Sequence, residues 1–411
     1  MKTWDSVVVG GGPSGMMAAG RAAERGRSVL LIERNRHLGS KLLISGKGRC
    51  NLTNDADRDL FIEEFGPSGR FLYNAFARFF NTDLIDFFEK RKLRLKVERG
   101  GRIFPGTDDA RDVVKVLHAY LGENGVVIHY DTTVRDVLVS GKNVSGVRTS
   151  AGKDIYSSQV VLATGGLSYP QTGSTGIGHG IAKKLGHTVI APKPALVPIE
   201  VREGLAKKWQ GVSLKNVSCA VYSDAERVDS RFGEMLFTHF GLSGPIILDL
   251  SKVAGNLLMS RKKVSVHINF KPALSREKLD ARLLREFSEN PNKSLVNILS
   301  RLLPARLVAG FLKTSVVDET KRANQISRSE RLRLVDTMMD FAFTVTKTRP
   351  IEEAIVTAGG VAVKEIDPQT MESRLIKGLY IVGELIDIDA GTGGYNLQAA
   401  FSTGYVCGDN L

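Results

Sequence analysis

The stretch SVVVGGGPSG at residues 6–15 decides the fold of the amino-terminal part of the chain. Ser6–Val9 is an apolar run typical of a buried strand, and Gly15–Arg25 has the composition of a helix. Val29–Glu33 then predicts a second strand, so the three segments form a βαβ unit. The glycines stand at the turn from the first strand into the helix, which is where a dinucleotide-binding fingerprint places them.

Each position of this fingerprint has a mechanical role. Gly10 permits the tight turn, Gly12 lets a pyrophosphate approach the backbone, and Gly15 lets helix and strand pack closely. Glu33 lies 23 residues after Gly10, at the end of the second predicted strand, where its carboxylate can accept hydrogen bonds from an adenosine ribose. An acidic residue there disfavours a 2′-phosphate, so NADP is not expected at this site.

FAD and NAD share this fingerprint, so the fingerprint alone does not distinguish them. The carboxyl-terminal segment favours FAD. Leu379–Glu384 predicts a strand that delivers an acidic residue to its carboxyl end, where flavoproteins place a carboxylate on the ribityl chain. Gly391–Asn396 is a glycine-rich loop leading into a helix at Leu397–Tyr405. A helix amino terminus aimed at the flavin ring would stabilise its anionic reduced form. The sequence therefore predicts FAD held between the two ends of the chain.

Four separated motifs resemble signatures of the YhiN/BaiN-type family of NAD(P)/FAD-dependent oxidoreductases. They are KLLISGKGRCNLTN at 41–54, THFGLSGP at 238–245, TAGGV at 357–361, and Gly383-Glu384 with GGYNLQ at 393–398. The resemblance covers essentially the whole chain. It implies an α/β fold with a split, Rossmann-like FAD-binding domain of the two-dinucleotide-binding-fold type, into which β-barrel-like and small helical domains are inserted.

The resemblance and the fingerprint together give a set of cofactor contacts. Those on the ADP half are Gly10, Gly12, Pro13, Ser14, Gly15, Glu33, Arg34, Lys41 and Leu42. Those near the ribityl chain and the ring are Arg49, Cys50, Asn51, Glu384, Gly394, Tyr395, Asn396 and Leu397. Further cofactor contacts, not assigned to either half, are Gly48, Ala163, Thr164, Gly165, Gly383 and Gly393.

Three residues are candidates for catalysis: Cys50, Asn51 and His239. Neighbouring Lys47 and Arg49 would lower the pKa of the Cys50 thiol and favour a reactive thiolate. The alternative, which the sequence favours, is a small buried side chain. His239 can donate to a substrate or act as an acid near neutral pH, or it can simply tie a loop to the barrel.

The hydrophobic pattern divides the chain into three parts. Residues 1–190 with 350–411 predict the FAD-binding domain, 191–274 an antiparallel, barrel-like domain, and 275–349 a basic helical subdomain. Val126–Tyr130 is grouped with the β-rich runs at 134–139 and 144–149 in a small antiparallel meander.

Composition limits the class of protein. The chain has 411 residues, 42% of them apolar, and a net charge of +13, which suits anionic ligands. Its three cysteines are far apart and predict neither a disulfide framework nor a metal site. No signal peptide or membrane-spanning stretch is visible, so we expect a cytoplasmic protein without membrane contact.

The sequence thus predicts a nucleotide-binding enzyme, an FAD-dependent oxidoreductase that passes hydride through flavin N5 to or from a small organic substrate. Family resemblance points to reduction of a conjugated C=C bond or to oxidation of a small amine. The sequence holds no second complete fingerprint, so either NAD(P)H visits the flavin face as a transient electron donor or the electrons come from another donor. The alternatives are a flavoprotein that binds or acts on RNA, which the charge allows but which we favour less, and a non-catalytic redox sensor.

Overall fold

The computed structural model describes residues 3–411 and divides into two units, one running up to Ala195 and resuming at Ile351–Leu411, the other Leu196–Pro350. The strands are β1 (Trp4–Val9), β2 (Val29–Ile32), β3 (Thr53–Asn54), β4 (Leu95–Glu98), β5 (Arg102–Pro105), β6 (Val127–His129), β7 (Val134–Ser140), β8 (Asn143–Thr149), β9 (Asp154–Leu162), β10 (Val189–Ala195), β11 (Ile199–Val201), β12 (Ser213–Ser223), β13 (Glu226–Phe237), β14 (Gly241–Ser243), β15 (Val264–Asn269), β16 (Phe341–Thr348), β17 (Val356–Val361) and β18 (Leu379–Ile381). The helices are α1 (Pro13–Glu24), α2 (Ser40–Ile44), α3 (Arg58–Glu64), α4 (Tyr73–Arg78), α5 (Asn81–Lys90), α6 (Ala110–Glu123), α7 (Ile177–Lys184), α8 (Leu205–Lys208), α9 (Pro245–Met259), α10 (Arg276–Glu289), α11 (Leu295–Leu299), α12 (Ala305–Thr314), α13 (Arg328–Met339) and α14 (Tyr395–Asn410).

A parallel sheet in the order β6-β2-β1-β9-β18 forms the centre of the first unit. Its inner strands are short apolar runs buried on both faces, as parallel sheets require. The register sets Val9 beside Ile32 and Leu162, and Leu162 beside Ile381. Because all these strands run in one direction, the residues that follow them lie at one edge of the sheet.

The meander consists of β7, β8 and the first part of β9, which pair antiparallel. The prediction that Val126–Tyr130 belongs to this meander is wrong. Its core, β6, pairs parallel with β2 and forms the edge of the main sheet. The reason is α6, which immediately precedes β6 and supplies the crossover that a parallel pairing needs.

The second unit is a closed barrel in the order β11-β14-β13-β12-β15-β16. Helices α10–α13 lie in the chain between β15 and β16, so the last barrel strand follows the helices. Barrel and helices share one hydrophobic cluster, in which Trp209 packs at 5.0 Å from Phe237 and 5.3 Å from Phe341 between ring centroids. The α/β fold with an inserted barrel and helices is the one that the sequence predicts.

Candidate cofactor site

The glycine turn leaves one open position above the backbone. A Cβ on Gly10, whose φ is +107°, would lie 2.5 Å from the carbonyl oxygen of Ala163, and a Cβ on Gly15 would lie 1.9 Å from the carbonyl oxygen of Gly10. A Cβ on Gly12 would meet no atom within 4 Å. Helix α1 starts at Pro13 without a side-chain cap or an acidic residue in its first turn. Its free N–H groups therefore face a space that suits a phosphate group.

Glu33 is fixed beside this turn. One carboxylate oxygen accepts a hydrogen bond from the backbone N–H of Gly11 at 2.7 Å, and the other accepts from the N–H of Asn35 at 2.8 Å. Burial raises the pKa of this carboxyl, and the two backbone donors oppose the shift. The exposed side chain of Arg34 donates to Thr175 Oγ1 at 2.7 Å. Glu33 keeps unused lone pairs that can accept from ribose hydroxyls.

The two ends of the chain meet at this edge of the sheet. Gly383 has a φ of +68°, and a Cβ there would lie 2.4 Å from Ser14 Oγ. Helix α14 packs directly on α1, because a Cβ on Gly404 would lie 2.3 Å from the carbonyl oxygen of Ser14, and one on Gly408 would lie 2.5 Å from that of Ala18. Glycines at these positions let the closing helix lie against the opening one.

Lys41 and Glu384 form an ion pair, although the sequence suggested contacts to different halves of the cofactor. Lys41 Nζ lies 2.7 Å from Glu384 Oε2 and 3.0 Å from Oε1. Ser168 Oγ donates to Glu384 Oε1 at 3.1 Å and lies 2.6 Å from Lys41 Nζ. The backbone N–H of Thr357 also donates to Oε1, at 2.9 Å. Three distant segments thus converge on the carboxylate of a fourth.

The sequence did not single out Ser168 or Thr357 as site residues. Thr357 Oγ1 accepts from the N–H groups of Leu167 and Ser168 at 2.8 and 3.1 Å, which fixes the loop after β9. A signal was present in part, since Thr357 opens the TAGGV motif. Ser168 lies in no such motif, because its role depends on contacts with residues more than 120 positions away in the sequence.

The closing glycine loop is held by neighbouring backbone. Asn54 Nδ2 donates to the carbonyl oxygen of Gly393 at 3.1 Å, and a Cβ on Gly394 would lie 2.3 Å from the carbonyl oxygen of Thr53. Asn396 Nδ2 donates to the carbonyl oxygens of Ala390 and Gly391 at 2.9 and 3.1 Å. The ring of Tyr395 is buried edge-to-face on Phe61 at 4.7 Å, and Leu397 packs against the same core. These side chains shape the loop.

Cys50 is not an activated thiol in this structure. Its side chain is fully buried, and burial raises its pKa to about 12, opposite to the lowering that the catalytic hypothesis for Cys50 requires. Arg49, which was expected to lower this pKa, instead pairs through its guanidinium with Glu98 at 2.8 Å and Asp108 at 3.3 Å and stacks 4.1 Å above the ring of Phe104. These two carboxylates therefore neutralise the charge of Arg49.

The loop around Cys50 has an unusual backbone. Lys47 and Cys50 both have positive φ, at 61° and 60°, as do Gly46 and Gly48. Non-glycine residues in this region store strain. Asn51 Oδ1 is buried without a hydrogen-bond partner among residues 3–411. Asn51 Oδ1 is therefore available to accept a hydrogen bond.

His239 lies in the second unit, at the exposed turn between β13 and β14, where its ring packs edge-to-face on Phe240 at 4.8 Å. A different histidine, His179 of α7, lies in the first unit near Glu384. It is buried, and both ring nitrogens lack partners within the described part of the chain. Burial lowers its pKa and so favours the neutral imidazole, and the Glu384 carboxylate opposes this shift.

Among residues 3–411, no cluster of three or more His, Cys, Asp or Glu side chains is arranged to hold a metal ion. Cys50, Cys219 and Cys407 are buried free thiols. Within residues 3–411, no helix combines the length and the apolar character that crossing a bilayer requires.

Comparison with known proteins gives full-length matches. The family described as HI0933-like protein Rossmann domain matches residues 4–410. The chain is 31% identical over 404 residues to the 3-dehydro-bile acid delta(4,6)-reductase of Clostridium scindens, covering 98% of this chain and 97% of that protein. It is also 31% identical over 418 residues to the ribosomal RNA dihydrouridine synthase of Escherichia coli, covering 100% and 98%.

Two solved structures share the fold at low sequence identity. One is a flavocytochrome c3 fumarate reductase in an open conformation, with a TM-score of 0.54 and 17% identity over 100% of this chain and 78% of the other. The second is a 3-ketosteroid-delta4-(5alpha)-dehydrogenase from Rhodococcus jostii RHA1, with a TM-score of 0.55 and 14% identity over 99% and 96%.

Proposed function

The chain belongs to the HI0933-like Rossmann-domain family, the YhiN/BaiN-type oxidoreductases that its motifs predict, and we propose that it is an FAD-dependent reductase of C=C bonds conjugated to a carbonyl. The observation that carries the proposal is the open space over Gly12, at the same sheet edge as Glu33 and Glu384. Along this edge, an elongated dinucleotide would find partners for its pyrophosphate, its adenosine ribose and its ribityl chain.

The residues present fit FAD. Gly12 and the first turn of α1 would receive the pyrophosphate, Glu33 the adenosine ribose, and Glu384 a ribityl hydroxyl. Bound FAD supplies the atom N5, through which hydride moves. The protein supplies orientation, and the Lys41 ammonium balances the Glu384 carboxylate.

The substrate class follows from a bond type that two relatives have in common. The Clostridium scindens relative is a delta(4,6)-reductase of a 3-dehydro bile acid, and the Escherichia coli relative makes dihydrouridine. Both names describe saturation of a C=C bond conjugated to a carbonyl group. We favour this reduction over small-amine oxidation, and a small organic enone as its acceptor.

Anaerobic titration of the FAD-loaded protein tests this proposal. NADH or NADPH should bleach the oxidised flavin, and a conjugated enone such as 2-cyclohexenone should restore its colour with a product heavier by two hydrogen atoms. Cyclohexanone, which lacks the double bond, is the matched control and should leave the flavin reduced. Bleaching by small amines, without reoxidation by any enone, would replace the proposal with amine oxidation.

A second candidate substrate is a uracil base within RNA, and the distribution of charge favours it. Residues 196–350 hold 26 Lys and Arg against 16 Asp and Glu, so this unit carries +10 of the total +13. Lys207, Lys208 and Arg306 are exposed, and Arg306 Nε donates to the backbone carbonyl oxygen of Lys208 at 3.1 Å, so the three basic residues lie on neighbouring segments. Such a cluster suits a phosphate backbone.

Salt-dependent binding of a uridine-containing RNA distinguishes the two substrates. Charge reversal of Lys207, Lys208 and Arg306 together should reduce the slope of log K against log salt by about 2 for a single strand. Lys115→Glu, on the exposed face of α6 in the other unit, is the control and should change the slope little. Absence of RNA binding at low salt would leave the small-molecule substrate alone.

A further inference from the structure

The two oxygens of the Glu384 carboxylate have unequal surroundings. Oε1 is contacted by three groups of the protein: Lys41 Nζ, Ser168 Oγ and the backbone N–H of Thr357, at 3.0, 3.1 and 2.9 Å. Oε2 is contacted by Lys41 Nζ alone, at 2.7 Å, among the hydrogen bonds of the described residues. The side chain is 20% exposed. Oε1 is therefore committed to the protein, and Oε2 keeps room for a further donor.

The two side chains that hold Glu384, those of Ser168 and Lys41, are themselves buried or half-buried. Ser168 is fully buried, and its N–H is held by Thr357 Oγ1 at 3.1 Å. Lys41 is half-buried, with 26% of its side chain exposed, so its charge is screened less than that of a surface lysine. The carboxylate and the ammonium cancel each other where the flavin is proposed to bind.

We propose that Lys41 and Ser168 are positioning residues for bound flavin: they fix Glu384 so that Oε2 accepts from the ribityl chain, and the Lys41 charge keeps the flavin easier to reduce. The physical reason is that two-electron reduction at neutral pH leaves negative charge on the ring system. A nearby carboxylate without its cation opposes that charge, and a cation without its carboxylate favours it. The inference rests on the proposed binding of FAD.

The test is a set of flavin midpoint potentials and FAD dissociation constants. Lys41→Met should lower the ratio of reduced to oxidised flavin at a fixed potential at least tenfold, which is about 30 mV for a two-electron couple. Glu384→Gln should shift the potential in the opposite direction. The double variant, Lys41→Met with Glu384→Gln, should return close to the wild-type value, since both charges are gone.

Two further variants separate charge from geometry. Lys41→Arg keeps the charge and should keep the potential. Ser168→Ala keeps both charges but removes a donor to Oε1, so FAD should bind at least tenfold more weakly at an unchanged potential. Lys115→Met, a charge change on the exposed face of α6, is the control.

The outcomes are distinct. Equal potentials and dissociation constants for Lys41→Met and Lys115→Met would overturn the inference while the wild type still binds FAD. Shifts of the same sign for Lys41→Met and Glu384→Gln would overturn it too. An electrostatic effect must reverse when the removed charge changes sign, whereas a structural disturbance need not. A wild-type protein that takes up no FAD would instead overturn the proposed function.

Discussion

A single methyl group at Gly12 should separate folding from cofactor binding. Gly12 has φ −79° and ψ −177°, which alanine adopts freely, and a Cβ there would meet no protein atom within 4 Å. Gly12→Ala should therefore raise the unfolding free energy of the cofactor-free protein by about 0.4–1 kcal/mol, through the entropy of the unfolded chain. The same methyl group would occupy the space proposed for the pyrophosphate, so FAD should bind at least tenfold more weakly, about 1.4 kcal/mol.

Two other glycines provide matched comparisons. Gly122 lies in helix α6, where a Cβ would also meet nothing within 4 Å, so Gly122→Ala should stabilise the protein and leave FAD binding unchanged. Gly15→Ala would place its Cβ 1.9 Å from the carbonyl oxygen of Gly10 and should cost about 3 kcal/mol or more. Urea unfolding of the cofactor-free proteins and fluorescence titration with FAD measure both quantities. Wild-type FAD affinity in Gly12→Ala would refute the assignment of the pyrophosphate to this turn.

Three further predictions follow from burial. Native protein at pH 8 should leave Cys50 unlabelled by iodoacetamide, because with a pKa of about 12 only about one thiol in 10,000 is ionised; labelling as fast as in urea, read by peptide mass, would contradict this. His179→Leu should leave stability unchanged or raise it by about 1 kcal/mol, since both imidazole nitrogens lack partners in the described chain; a loss above about 2 kcal/mol in urea would show a partner. Burial lowers the pKa of His179 and of His187, so below about pH 6.5 the unfolded chain binds more protons than the folded chain, and the free energy of unfolding falls as the solution is acidified. His179→Leu should remove part of this loss. An unchanged pH profile of stability in that variant would contradict the prediction.

The helices and strands of the first unit can be predicted from the sequence where interactions between residues close in the chain determine them. The apolar run before Gly10, the glycines of the turn and the carboxylate at Glu33 each act through neighbours within one βαβ unit. The barrel strands are likewise visible as alternating segments, such as β12 and β13, joined by a short turn.

The features that the sequence does not predict depend on distant contacts. Ser168 and Thr357 are 189 positions apart and acquire their roles only when β9 and β17 are brought together. The environment of Cys50 depends on Glu98 and Asp108, which neutralise Arg49 in space and not in sequence. The pairing of β6 with β2 depends on the crossover through α6.

FAD content per chain tests the central claim most directly. Purified protein, unfolded to remove bound ligands and refolded with excess FAD, should retain one FAD per chain after desalting, while Gly12→Ala retains far less under the same conditions. A refolded wild-type chain that stays colourless would contradict the claim that its two ends meet around one flavin cofactor.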